Sequence, residues 1–178
     1  MKFKNNHDAD VLSLNKIYEK YASYTATKGD SNGPEDLPGG GDKGTIHSYI
    51  EHYDTLLTPY RNGSTVLEIG MWKGDSLRMW DEYFNNSVVI GAEIYEERTG
   101  GLYLDPNYNV IVHDVTKLSF LEIIKDISLD VVIDDGSHYL HEQIQTFHLL
   151  KNKMNEGGIY IIEDIKDIDY SRRYFEDC

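Results

Sequence analysis

The segment LDVVIDDGSHYLHEQIQTFHLL, residues 129–150, joins a short apolar run to an amphipathic stretch through a turn rich in charge. Residues 131–133 are apolar on both faces of an extended chain, which is typical of a strand buried on both sides in a parallel sheet. Beyond the turn, apolar side chains recur at helical spacing; they are Leu140, Ile144, Phe147 and Met154. A buried strand followed by such a helix is the repeating unit of an α/β fold.

The same alternation of strand and helix continues through most of the chain. The predicted strands are residues 65–70, 87–94, 109–115, 129–136 and 157–165, and the predicted helices between them are residues 75–84, 117–125 and 139–154. Parallel strands joined by right-handed helical crossovers form a doubly wound, Rossmann-like sheet. The sequence therefore predicts an α/β fold of this class, with helices on both faces of a parallel sheet.

The part of the chain before these strands has a different pattern. Apolar spacing predicts a helix over residues 8–24 and a second helix capped by Thr45, whose apolar face includes Tyr49 and Tyr53 as packing residues. Between them lies TATKGDSNGPEDLPGGGDKG, residues 25–44, a loop rich in Gly and Pro. Its composition fits a mobile flap and an inert linker equally well.

The composition limits the kinds of partner. The chain carries 31 Asp and Glu against 17 Lys and Arg, a formal net charge of −14, and such a field repels nucleic acid and anionic membranes. The single cysteine, Cys178, has no second cysteine for an internal disulfide, which suits a reducing compartment. The N-terminus lacks the apolar core of a signal peptide, and no apolar run is long enough to span a bilayer. We expect a soluble, cytoplasmic protein.

Acidic residues follow every predicted strand. In this fold the carboxyl ends of the strands lie at the edge of the sheet where ligands bind. In chain order, the strand ends carry Glu68 with Gly70 and Gly74, then Glu93, then His113 with Asp114, then Asp134, Asp135 and His138, and finally Glu163 with Asp164. An accidental distribution would place acids at both ends of the strands, so the pattern indicates a ligand site at this edge.

The first three strand ends have the features of a nucleoside pocket. Gly70 allows a tight turn, and Gly74 allows the next helix to begin close to a ligand. Glu93 is placed to accept hydrogen bonds from a ribose diol, and Asp114 to face an adenine amino group. These residues do not distinguish a nicotinamide from a sulfonium cofactor. A nicotinamide-nucleotide oxidoreductase therefore fits this pocket, and a non-catalytic protein that binds a cofactor or an assembly partner is a further alternative, supported by the short segment after the last strand.

Four segments taken together resemble a known family. VLEIGMWKGDSLRMW, VIGAEI, VVIDDGSH and GGIYIIEDI, in this order, resemble class I S-adenosylmethionine-dependent methyltransferases. More narrowly, they resemble the metal-dependent sugar O-methyltransferases of the mycinamicin and macrocin type, and the upstream DKGTIHSYIEHYDTLLTPYR is similar to the segment before the first strand in that group. The resemblance covers roughly residues 42–165. The DDGSH and IED motifs are more specific than the glycine motif.

The resemblance implies a cofactor, a metal and a role for each site residue. It implies that Mg²⁺ is bound by Asp135, Glu163 and Asp164, and that His138 acts as general base beside the catalytic Asp135. The cofactor pocket would be lined by Glu68, Gly70, Gly74, Glu93 and Asp114. Independently of the resemblance, the position of Lys43 and His47 before the first strand makes them candidates to close over the cofactor, and Asp134 at the end of the fourth strand is a further candidate. For Asp134 the alternative is to face a helix terminus or to support the metal site from behind, because adjacent strand residues point to opposite faces.

The implied chemistry explains these residue types. A sugar hydroxyl is a poor nucleophile because it holds its proton far above neutral pH, and a divalent cation bound to its oxygen favours the alkoxide. Mg²⁺ prefers hard oxygen ligands such as carboxylates. An imidazole that titrates near about 6.5 is suited to accept the proton. The expected acceptor is a sugar in a glycan or glycoside.

Two departures from the family pattern concern the loop and the sheet edge. Position 72, glycine in many class I methyltransferases, is Trp72 here, and KDIDYSRRYFEDC after the last strand is too short for the usual C-terminal hairpin. We therefore expect a shortened fold, or a sheet edge covered by a partner subunit in a homo-oligomer. We expect one folded domain, with residues 1–60 as helices and a loop over the cofactor site, and residues 61–178 as the Rossmann-like core.

Overall fold

The structure, a computed structural model, describes residue 3, residues 12–26, residue 43 and residues 48–175. Five strands form one sheet, and every neighbouring pair is parallel. They are β1 (Thr65–Ile69), β2 (Val88–Glu93), β3 (Asn109–Val112), β4 (Leu129–Asp134) and β5 (Met154–Ile162), in the spatial order β3-β2-β1-β4-β5. The predicted doubly wound parallel sheet is confirmed.

Six α-helices accompany the strands in the described part of the chain. They are α1 (Leu14–Ala26), α2 (Ile50–Leu57), α3 (Asp75–Tyr83), α4 (Leu118–Ile123), α5 (Leu140–Leu150) and α6 (Ile168–Arg172). Helices α3, α4 and α5 lie where the periodicity predicts them. No helix in this described set is long and apolar enough to cross a bilayer.

The two N-terminal helices begin later than the sequence predicts. Helix α1 begins at Leu14, directly after Ser13, a residue type that favours the position before a helix, and the Ser13 carbonyl accepts the amide of Ile17 at 3.2 Å. Residues 8–11 of the predicted helix lie outside the described residues. Helix α2 begins at Ile50, because Ser48 has a left-handed φ of 53° that a right-handed helix does not accommodate. Thr45, His47 and most of the Gly/Pro-rich loop lie outside the described residues.

Each face of the sheet has its own apolar core. On one face, alternate strand residues pack with α1, α2 and α3; this core includes Val66, Val89, Val131, Ile17, Leu57 and Trp80. On the other face, the intervening strand residues pack with α4 and α5; this core includes Leu67, Ile90, Val132, Phe120 and Leu150. Successive strand residues point to opposite faces, so a sheet covered on both sides needs apolar residues at consecutive positions.

Strand β5 is the edge of the sheet among the described residues. It pairs with β4, whereas its other side has no paired strand within residues 48–175. Its residues are less buried than those of β1 and β4. After it, the described chain forms only the short helix α6. The covering of this edge by a partner subunit stays a prediction.

Trp80 connects helix α3 to the first strand. Its ring is fully buried and packs edge-on against Tyr53, with ring centroids 5.3 Å apart. Its indole Nε1 donates a hydrogen bond of 2.9 Å to Oε1 of Glu68, which lies on β1 and is also fully buried. The Oε2 atom of Glu68 accepts no hydrogen bond from any described residue. Burial raises the pKa of the Glu68 carboxyl to about 7.

Replacing Trp80 tests this connection. We expect Trp80→Phe to lower the free energy of unfolding by about 2–4 kcal/mol, because it removes the indole donor to the buried Glu68 carboxyl and reduces packed volume. Trp72→Phe is the matched control, since the Trp72 side chain is about half exposed (52%), and it should change stability by less than about 0.5 kcal/mol. Urea unfolding measures both values. Equal losses in the two variants would contradict the role given to Trp80.

The raised pKa of Glu68 generates a pH-dependent prediction. The folded state holds this proton more tightly than the unfolded chain, whose ordinary value is near 4.5, so the ionised carboxyl destabilises the fold increasingly as pH rises from about 4.5 to about 7. Glu68→Gln removes that penalty. The free energy of unfolding of Glu68→Gln minus that of wild type should be about 1–3 kcal/mol larger at pH 8 than at pH 5. Urea unfolding at both pH values, with the exposed Glu97→Gln as control, measures the change; a pH-independent difference would refute it.

Candidate active site

A pocket of about 500 Å³ opens at the carboxyl edge of the sheet. In the spatial order of the strands, β1 and β4 are neighbours. The chain leaves these two strands toward opposite faces of the sheet, and such a switch point is the usual ligand site in this fold. The volume is in the range of small-molecule sites. Seven of the predicted site residues line the pocket: Lys43, Gly70, Glu93, Asp114, Asp134, Asp135 and His138.

The loop after β1 needs both of its glycines. Gly70 has a φ of 81°, and a Cβ there would lie 2.1 Å from the carbonyl oxygen of Asp135. Gly74 also has a φ of 81°, directly before α3, and a Cβ there would lie 2.1 Å from Cδ1 of Leu102. Trp72 between them has a φ of 47°, an uncommon conformation for a residue with a side chain. Glu68 lies beneath this loop and does not line the pocket.

Glu93 and Asp114 present carboxylates that the backbone holds in place. Glu93, at the end of β2, accepts hydrogen bonds from the amides of Ile94 (2.8 Å) and Trp72 (3.2 Å). Oδ1 of Asp114 accepts from both the amide and the hydroxyl of Thr116, at 3.0 and 2.6 Å. Burial opposes ionisation of Asp114, but these hydrogen bonds outweigh it and lower the pKa of its carboxyl. Both side chains are therefore fixed acceptors at the pocket.

Asp135, His138 and Asp164 meet beside the pocket. Nε2 of His138 lies 3.1 Å from Oδ1 of Asp135, and Nδ1 lies 3.3 Å from Oδ2 of Asp164. One ligand atom from each residue falls within 4.8 Å of the other two, a spacing that could hold a metal ion. The hydrogen bond that His138 donates to Asp135 raises the pKa of the imidazole, and the charge of Asp164 adds to this effect.

The backbone at this cluster is strained. His138 has a φ of 58° and Asp164 has a φ of 56°, both in the left-handed region that residues with side chains seldom adopt. Such conformations persist where the surrounding structure imposes them, and they are common at functional sites. The turn after β4 and the end of β5 therefore direct these two side chains toward each other.

Glu163 has a different set of partners. The ammonium of Lys43 lies 2.9 and 3.0 Å from its two carboxylate oxygens, and 2.5 Å from Oδ2 of Asp135. The hydroxyl of Tyr53 donates to Oε1 of Glu163, and Nε2 of Gln143 donates to its backbone carbonyl at 3.0 Å. Burial raises the pKa of the Glu163 carboxyl. Of the three predicted metal ligands, Asp135 and Asp164 join the cluster with His138, whereas Glu163 contacts Lys43.

Asp134 is held by internal partners. It is almost fully buried, its Oδ2 accepts the hydroxyl of Tyr160 at 3.1 Å, and its Oδ1 accepts the amide of Gly136 at 3.3 Å. Burial raises the pKa of its carboxyl to about 6. These contacts fit the alternative of a residue that supports the turn carrying Asp135 and His138. Asp134 also borders the pocket, and its contact with a cofactor stays a prediction.

Some residues of the site have contacts that sequence reasoning missed. Tyr49 and Tyr53 were predicted as packing residues, and Tyr53 is buried in the core, yet their hydroxyls bind Asp164 (3.2 Å) and Glu163. Lys43 was expected to close over the cofactor; it borders the pocket, but its ammonium binds two acids. Helical spacing identifies which face of α2 is buried, but it carries no signal for the partner of a hydroxyl.

The sequence is similar to curated sugar O-methyltransferases. It is 34% identical over 137 residues to the 8-demethyl-8-alpha-L-rhamnosyl tetracenomycin-C 2'-O-methyltransferase of Streptomyces olivaceus, covering 71% of this chain and 35% of the relative. It is 34% identical over 133 residues to the demethylmacrocin O-methyltransferase of Streptomyces fradiae, covering 68% of this chain and 33% of the relative. The chain thus spans about a third of the length of these curated relatives. No protein-family model matches the sequence.

Solved structures of the same kind share the fold. The MycE methyltransferase of the mycinamycin biosynthetic pathway, in complex with Mg and SAH, superposes with a TM-score of 0.68 at 28% identity, over 94% of this chain and 43% of that chain. A structure of MycE with Mg, SAH and mycinamycin VI gives a TM-score of 0.67 at 27% identity, with the same coverage. By fold and by sequence similarity, the chain therefore belongs with the class I S-adenosylmethionine-dependent methyltransferases and is a relative of the sugar O-methyltransferases.

Proposed function

We propose that this chain catalyses transfer of the methyl group of S-adenosylmethionine to a sugar hydroxyl, with Mg²⁺ as the metal and His138 as the general base. The observation that carries the proposal is the meeting of Asp135, His138 and Asp164 beside a pocket that Glu93 and Asp114 also line. The relatives support the acceptor class, because their names describe methylation of a rhamnosyl tetracenomycin and of demethylmacrocin.

The pocket suits the nucleoside part of the cofactor. Glu93 offers a fixed carboxylate for a ribose diol, and Asp114 offers another for the adenine amino group. Gly70 lines the pocket and lets the loop after β1 lie directly against the backbone of Asp135, so this loop and the turn after β4 form one side of the pocket. The acidic surroundings also favour a cofactor that carries a positive sulfonium.

The acidic residues fit a hard divalent cation. Asp135, Glu163 and Asp164 would hold Mg²⁺, which prefers carboxylate oxygens. The ammonium of Lys43 lies between oxygens of Asp135 and Glu163, so these oxygens already bind one positive charge, in the place proposed for the metal ion. When bound, Mg²⁺ would lower the pKa of the acceptor hydroxyl and so favour loss of its proton.

His138 then completes the reaction. One ring nitrogen accepts the proton of the sugar hydroxyl while the hydroxyl oxygen takes the methyl group from the sulfonium sulfur, which leaves as a thioether. Asp135 and Asp164 lie close to the two ring nitrogens, and their charges stabilise the imidazolium that forms. The left-handed backbone at His138 and Asp164 keeps these groups in place before the substrate arrives.

Ligand binding distinguishes this proposal from a nicotinamide-dependent oxidoreductase. We expect S-adenosylhomocysteine to raise the melting temperature and NAD to leave it unchanged. Glu93→Gln should weaken S-adenosylhomocysteine binding about 10- to 100-fold, because it loses charge-assisted hydrogen bonds to the ribose. The exposed Glu96→Gln serves as the matched control and should bind normally. Calorimetry measures the affinities; stabilisation by NAD alone would favour the oxidoreductase.

Turnover tests the metal and the base. With rhamnosyl and macrolide glycosides as acceptors, we expect EDTA to abolish methyl transfer and added Mg²⁺ to restore it. His138→Ala should lower kcat by about 10²- to 10⁴-fold and leave S-adenosylhomocysteine affinity unchanged. His148→Ala, an exposed histidine on α5, is the control and should retain wild-type turnover. Full activity in EDTA would refute the metal role, and full activity of His138→Ala would refute the base.

A further inference from the structure

Lys43 is a cation buried at the place proposed for the metal. Its side chain is almost fully buried (1% exposed), and its ammonium contacts Asp135 at 2.5 Å and both oxygens of Glu163 at 2.9 and 3.0 Å. Its backbone carbonyl accepts the amide of Tyr49 at 2.6 Å, which fixes the residue shortly before helix α2. A long, flexible side chain thus reaches the acids from outside the sheet.

The charges at this place explain why a cation is needed. Asp135 and Glu163 belong to adjacent strand ends, and Glu163 is only 4% exposed. Two carboxylates brought together with little water repel each other, and a buried charge without a partner is strongly destabilising. Lys43 supplies the opposite charge to both of them. It therefore holds the two acids together when no metal is bound.

The same contacts exclude a second cation. Mg²⁺ binds its oxygen ligands at about 2.0–2.1 Å, so an ion held by Asp135 and Glu163 would need the oxygens that now surround the ammonium. Two positive charges within about 3 Å of each other repel strongly in a buried site. The ammonium is carried on a flexible chain of four methylene groups, whereas the carboxylates follow strand ends, so the ammonium is the more mobile of the partners.

From this we infer that Lys43 is a positioning residue for the metal site, an internal cation that divalent metal must displace from Asp135 and Glu163. This inference rests on the metal role in the proposed function. It adds that Lys43 competes with the metal ion for the oxygens of Asp135 and Glu163. A protein with Lys43 in place binds metal more weakly than its carboxylates alone would, because part of the binding free energy goes into moving the ammonium.

A second arrangement predicts a different outcome. Asp135, His138 and Asp164 have ligand atoms within 4.8 Å of one another, so a metal held by these three could leave the contact between Lys43 and Glu163 intact. In that case removal of the lysine would not strengthen metal binding, and the lysine would stay buried when metal binds.

Manganese titration of the wild-type protein and two Lys43 variants separates these cases. Mn²⁺ binding to wild type, Lys43→Met and Lys43→Arg is measured by electron paramagnetic resonance of the free ion, with Mg²⁺ as competitor. We expect Lys43→Met to bind Mn²⁺ about tenfold more tightly or better, and Lys43→Arg, which keeps the charge, to stay near wild type. Lys20→Met, which removes an exposed lysine paired with Glu82, is the matched control and should not change the affinity.

A measurement on the wild-type protein covers the case in which Lys43→Met does not fold. Amine acetylation followed by peptide mass spectrometry should leave Lys43 unlabelled without metal and label it when Mn²⁺ or Mg²⁺ is added. The inference would be overturned if folded Lys43→Met bound Mn²⁺ no more tightly than wild type, or if Lys43 stayed unlabelled at saturating metal. Either result would leave the metal role in place. Absence of Mn²⁺ and Mg²⁺ binding to every variant would overturn both.

Discussion

The pairing of β1 with β4 is the constraint on which the site depends. Ile69 is in register with Asp134, and the amide of Asp135 donates to the carbonyl of Ile69 at 3.0 Å. This pairing brings the two loops so close that position 70 has room only for glycine. Because the chain leaves β1 and β4 toward opposite sides, the crevice between their ends opens here. The positions of the pocket and of the acidic cluster therefore depend on the register between β1 and β4.

Burial and hydrogen-bond partners together set the pKa values of the acidic side chains at the site. Burial raises the pKa of Glu68 to about 7 and of Asp134 to about 6, and their partners are neutral donors, the indole of Trp80 and the hydroxyl of Tyr160. Asp135 instead contacts Lys43 and His138, and these contacts lower the pKa of its carboxyl against the effect of burial. Glu163 also contacts Lys43, but burial still raises the pKa of its carboxyl, so the lowered pKa of Asp135 depends on having both Lys43 and His138 as partners.

The similarity to sugar O-methyltransferases extends over most of this chain. The structural match to MycE covers 94% of it, with a TM-score of 0.68. Since the chain spans about a third of the curated relatives' length, their acceptors are carried over here only as a proposal. What the geometry supports directly is a pocket for a small molecule next to a cluster of oxygens suited to a cation.

The sequence by itself determined the parallel sheet and the edge at which the site lies. Strand and helix periods are local, and parallel strands all end at one edge, so the acids at the strand ends predict a ligand site there. The sequence groups Asp135, Glu163 and Asp164 as metal ligands only through the family resemblance, whereas the structure brings Asp135 and Asp164 together with His138. Only the tertiary structure decided the partners of Glu163. Lys43 and Tyr53 lie 120 and 110 residues before it in the chain. Tyr53 reaches it from α2, which packs in the core on one face of the sheet, and Lys43 reaches it from the segment before α2, where its carbonyl accepts the amide of Tyr49. The apolar pattern of a helix sets which face is buried, whereas the atom that a hydroxyl or ammonium meets there depends on how the two elements dock.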